Sequence, residues 1–116
     1  MRLVDLEPKW LRYEVRDDGH IYFVPVDSIA EAQGIRFLCP KCFAERGGSS
    51  GVHGVICWSR SRGVPEDARP GPGRWKMDGT DFSDLTLNAD PPGTARSVQL
   101  KGGCGWHGHV TSGDAT

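Results

Sequence analysis

The sequence predicts a mainly β fold: a small α+β single domain of antiparallel strands with one short helix and a Cys3His zinc site. Three observations point there. Of 116 residues, 16 are glycine and 8 proline against 37% hydrophobic residues, an excess of backbone punctuation that favours short strands and loops over a helix bundle. Several segments alternate apolar and polar residues with the two-residue period of a half-buried strand. Two metal-ligand turns, Cys39-Pro40-Lys41-Cys42 and Cys104-Gly105-Trp106-His107, stand far apart in the chain. A chain of this length fits one domain, 1–116, and buries a modest share of its surface, so a metal staple adds stability where the core is small.

Trp10 to Val15 alternates, Asp18-Gly19 offers a tight turn, and His20 to Val24 is β-rich until Pro25, which is expected to end the strand. Residues 1–26 thus read as an N-terminal hairpin. Asp27 or Ser28 can cap a helix, Ser28 and Glu31 match a capping box, and Gly34 stands where a left-handed terminator belongs, so 27–34 reads as a short helix. Ile35 to Leu38 is a strand that delivers Cys39 and Cys42 as a zinc knuckle. Residues 45–51 read as a loop and His53 to Trp58 as a strand. Ser59–Gly73, with three prolines and three glycines, is a long loop of mixed charge. Further strands are expected at Arg74 to Met77, around Leu85 and Leu87, at Ser97 to Leu100 and at His107 to Thr111. This makes 35–111 a zinc-clamped β-rich core, with 112–116 left as a flexible tail.

Two thiolates on one turn, with a thiolate and an imidazole on another, make up a tetrahedral donor set suited to zinc. The expected ligands are Cys39, Cys42, Cys104 and His107, with His109 and His53 as competitors for the histidine position. Cys57 lies mid-strand between Ile56 and Trp58 and reads as a buried core thiol. A redox role for Cys39 and Cys42 is disfavoured, because nothing in the sequence reads as the helix N-terminus that such a pair uses. Trp10, Trp58, Trp75 and Trp106 read as packing residues.

A net charge of −1 gives no basic footprint for nucleic acid or for an anionic membrane surface, and no run is long enough to span a bilayer. The first residues lack the apolar stretch of a signal peptide, so a cytoplasmic location is expected, where cysteine pairs serve metals more often than disulfides.

Cys39-Pro40 with Cys42, His53-Gly54-Val55-Ile56, Gly73-Arg74-Trp75 with Gly79, Asp84-Leu85-Thr86-Leu87, and Cys104-Gly105-Trp106-His107-Gly108 with Gly113 form a motif series. The series resembles a family of small uncharacterised proteins of bacteriophages, prophages and other mobile bacterial elements, over Phe37 to Gly113. The resemblance implies a phage or prophage source, the host cytoplasm as location, a metal site, and an unidentified phage or host protein as partner. Some members of that family look to be encoded beside bacterial ubiquitin-like conjugation genes, which implies a peptidase alternative. Its nucleophile would be Ser97, its base His107 or His109, and its orienting acid Asp84 or Asp90. The leading expectation is a structural zinc scaffold that acts as a protein-interaction module. The serine-type hydrolase and a zinc-ribbon nucleic-acid binder are the alternatives.

Overall fold

The computed structural model describes residues 1–116. A 3-10 turn at Leu3–Leu6 precedes β1 (Lys9–Val15) and β2 (Ile21–Val26), followed by β3 (Gly34–Leu38), helix α1 (Pro40–Arg46) and β4 (Gly54–Trp58). Short strands complete the chain: β5 (Lys76–Asp78), β6 (Thr86–Asn88), β7 (Val98–Gln99), β8 (His107–Gly108), β9 (Val110–Thr111) and β10 (Asp114–Ala115). The first four strands form one antiparallel sheet in the order β2-β1-β3-β4. The others pair as three antiparallel ribbons, β5 with β6, β7 with β8 and β9 with β10.

Strand alternation divides the main sheet into two apolar faces. One carries Trp10, Ile35, Phe37, Val55 and Cys57, set side by side by the pairs Trp10–Ile35, Ile35–Cys57 and Phe37–Val55. Against it pack Leu3 and Leu6 of the first turn, together with Leu85, Leu87, Val98, Trp106 and Val110 from the ribbons. The other face carries Leu11 and Trp58, covered by Val64 and Ala68 of the long loop. Gly34 makes this second face possible, because a Cβ there would lie 2.5 Å from the Trp58 ring. All four tryptophans are buried.

Three expectations need correction. Pro25 does not end its strand: β2 runs on to Val26, with Pro25 opposite Leu11. The strand is at the sheet edge, where a residue lacking an N–H can turn that side to solvent. Residues 27–34 form no helix: 27–33 make successive turns and bends and Gly34 opens β3, with Glu31 N–H donating to Ser28 C=O (3.2 Å) and Ala32 N–H to Ile29 C=O (3.2 Å). The sheet takes the next residue: Gln33 N–H donates to Leu11 C=O (2.7 Å), and its side-chain oxygen accepts from Tyr13 N–H (2.8 Å). The helix instead occupies 40–46, begun by Pro40 at its first position and stopped by Gly47 with φ +69°. Lastly, 112–116 is no loose tail. Ala115 is buried in β10, Gly113 abuts the Ser83 carbonyl too closely for a Cβ, and the Met1 ammonium donates to Ala115 C=O (2.9 Å).

Candidate metal centre

Three separate segments converge at one end of β3. The first is the β3–α1 junction, where Cys39 leaves the strand and Cys42 sits in the first turn of α1. The second is the start of β4. Antiparallel pairing of Leu38 with Gly54 puts the preceding residue, His53, beside Cys39, and Cys39 N–H donates to His53 C=O (3.0 Å). The third is the loop of the β7–β8 hairpin, closed by Leu100 N–H donating to Trp106 C=O (2.9 Å), which carries Cys104. Trp106 is buried edge-on against Phe37, with centroids 6.0 Å apart at 89°, so the hairpin is seated on β3. Lys41 Nζ donates to Cys104 C=O (2.9 Å) and ties the loop to α1.

The ligand atoms of Cys39, Cys42, His53 and Cys104 lie within 4.8 Å of one another. Cys39 Sγ and Cys104 Sγ are 3.5 Å apart, and His53 Nε2 is 3.4 Å from Cys104 Sγ. All four cysteines are free thiols. Cys39 is buried, Cys42 and Cys104 are half-buried, and His53 is exposed, so the group sits at the surface with one side open to water. These four residues can hold a metal ion.

The thiols differ in acidity. Desolvation pushes the Cys104 thiol up, but hydrogen bonds from His53, the Trp106 backbone, Cys39 and Cys42 together outweigh it and hold the group down at about 6. Cys42 is pushed up to about 11, by desolvation first and then by Cys104 and Cys39 beside it. Cys39 is raised by desolvation, against the pull of the Cys42 and Lys41 amides. One thiolate among neutral thiols is the state expected of clustered like charges, and a cation reverses it.

The structure thus brings together three of the four expected ligands and supplies the fourth from His53 in place of His107. His107 is exposed on β8, one residue after the inward-facing Trp106, and alternation points it away from the cluster. His109 is exposed too, its backbone paired with Thr116. Cys57 is buried in the core, outside the group, its thiol pushed up by burial. The Cys39–Cys42 pair does sit at a helix N-terminus, contrary to the sequence expectation, but in an antiparallel β3–α1–β4 unit with Cys104 and His53 against it.

The residues of the hydrolase alternative are not joined. The β7–β8 ladder ends at Val98, one rung before Ser97 would meet His109, and no hydrogen bond links Ser97 to either histidine. Asp84 accepts from Thr80 and Asp81, closing its own turn, and Asp90 offers its main-chain oxygen to Arg60. No helix is long and apolar enough to cross a membrane. No family model, curated protein or solved structure matches the chain.

Proposed function

We propose that the protein is a structural zinc scaffold that presents its loops and strand edges to a partner protein. The observation that carries this reading is the convergence of three thiols and one imidazole from three segments, their ligand atoms all within 4.8 Å of one another. With zinc–sulfur bonds of about 2.3 Å and zinc–nitrogen bonds of about 2.0–2.1 Å, a tetrahedron has sulfur–sulfur edges of about 3.8 Å and sulfur–nitrogen edges of about 3.5 Å. The 3.5 Å and 3.4 Å separations at Cys104 are close to those edges. Mixed sulfur and nitrogen donors favour zinc over the hard cations that take oxygen.

Four protein ligands also leave no open coordination position, which favours a structural over a hydrolytic metal. The ion would tie the β3–α1 junction, β4 and the β7–β8 hairpin together, adding to the Trp106–Phe37 contact that already seats the hairpin on the main sheet. The phage or prophage setting and the unidentified phage or host partner belong to the same proposal, and their support is the motif resemblance.

The test is metal content and melting of the purified full chain. We expect about one zinc per chain and a marked fall in melting temperature on chelation, reversed by zinc. A folded chain that carries no metal and melts identically with and without chelator overturns the proposal.

A further inference from the structure

Antiparallel pairing fixes which main-chain groups of an edge strand are free. Cys39 N–H donates to His53 C=O, and Ser59 N–H donates to Gln33 C=O, so the alternate residues His53, Val55, Cys57 and Ser59 direct their main-chain groups to β3. Gly54 and Ile56 therefore turn their N–H and C=O groups outward. On β7, Leu100 N–H donates to Trp106 C=O, so Val98 and Leu100 face β8 while Ser97 and Gln99 turn outward.

All four outward residues line the same cavity of about 610 Å³. Two open strand edges thus face one space without pairing to each other. An inserted strand needs about 4.8 Å to each neighbour and about 10 Å of depth, and with a rise of about 3.3 Å the cavity holds roughly four residues of extended chain.

The lining also sets the charge of the occupant. Lys101 is the one formally charged side chain around the cavity, no carboxylate lines it, and Lys101 takes part in none of the ion pairs. A small anion would use Lys101 alone and leave outward carbonyls unmatched. An extended peptide supplies donors and acceptors in alternation to both edges, and an acidic side chain on it answers Lys101. We propose that the cavity takes an extended acidic peptide of a partner protein, added as a strand between β4 and β7. This names the surface and partner class of the interaction module above and rests on that reading. One end of the slot is set by the residues of the candidate metal centre, His53 before Gly54 and the Cys104 loop after Gln99.

The test uses the full chain, labelled for amide NMR, with its zinc content measured on the same sample. The probe is a pool of terminally blocked peptides of about six residues, long enough to span the cavity, with glutamate fixed at one position and the others randomised. The amide signals of Gly54, Ile56, Ser97 and Gln99 are expected to shift. Lys101→Glu is expected to weaken binding at least about tenfold, and a backbone N-methylated pool, which has no N–H to donate to either edge's carbonyls, is expected to lose it. Unmoved signals at those four amides, or an equal response to the N-methylated pool, overturn the proposal. A zinc-loaded chain with unmoved amides loses the peptide slot and keeps the scaffold. A chain that binds the peptides without zinc keeps the slot and loses the scaffold.

Discussion

Replacing His53 with alanine removes one of four ligands from the proposed centre, while replacing His107 removes an exposed side chain from a two-residue strand. Structural zinc sites have apparent binding free energies of about 10–16 kcal/mol, so one ligand in four accounts for roughly 3–4 kcal/mol. At 1.4 kcal/mol per factor of ten, the loss is roughly 100- to 1,000-fold in affinity, reduced somewhat if water takes the vacated position. The exposed His107 is expected to matter by no more than about 0.5 kcal/mol. Competition with a chromophoric chelator measures both variants on one scale, and circular dichroism establishes that each is folded. A hundredfold loss of affinity in His107→Ala, with His53→Ala binding like the unaltered chain, would rule out His53 as the ligand.

Three further outcomes follow from the side chains around the centre and the long loop. In the metal-free, reduced protein, thiolate ultraviolet absorbance should show one step with a midpoint of about 6, which Cys104→Ser abolishes. The Cys104 acidity lies below the ordinary thiol value of 9.0, so its stabilisation is full above that value and is lost as pH falls through about 6. Cys42 has the opposite sign: raised to about 11, its contribution is present below 9.0 and lost as pH rises through about 11. Zinc binding near neutral pH should therefore release about two protons from thiols, those of Cys39 and Cys42, measurable by calorimetry in buffers of different ionisation enthalpy. A release of no thiol protons would contradict this assignment.

Arg74 is buried and donates to the main-chain oxygens of Pro70, Gly73, Pro65, Glu66 and Ala68. Arg74→Ala should destabilise the fold by about 3 kcal/mol, since the buried Ala68 carbonyl and four partly buried ones lose a charged donor at once. It should also open 65–73 to proteolysis, and unchanged protease resistance would count against the role given to Arg74.

Much of the fold was legible because strand alternation is a local signal. The hairpin of β1 and β2, the strands around Phe37 and Ile56, and the three cysteines that could hold a metal ion could be read from residues within a few positions of one another. What was missed depends on pairing across distance. Ser28 and Glu31 satisfy a helix start, yet Gln33 is drawn into the sheet by Leu11 and Tyr13, and no local pattern announces that competition. The signal for α1 was present in Pro40 and Gly47, at opposite ends of one short segment, but the reading of Cys39–Cys42 as a knuckle masked it.

His53 illustrates the same point at the site. Ten residues separate it from Cys42, a spacing near that of small zinc modules. Antiparallel pairing also returns the start of β4 to the end of β3. His107 looked the better ligand because it completes a Cys-x-x-His turn, but Trp106 faces inward against Phe37, and strand alternation then turns His107 out. Likewise the long loop reads as open surface until Arg74 and the Trp58 Nε1 bond to Arg69 C=O (2.9 Å) are seen to hold it down.

X-ray absorption at the zinc edge of the purified, unaltered protein tests the central claim most directly. Three sulfur ligands at about 2.3 Å and one nitrogen at about 2.0–2.1 Å are expected, with the nitrogen signal replaced or lost in His53→Ala and kept in His107→Ala. A first shell made only of nitrogen and oxygen, or one left unchanged by His53→Ala, would contradict it.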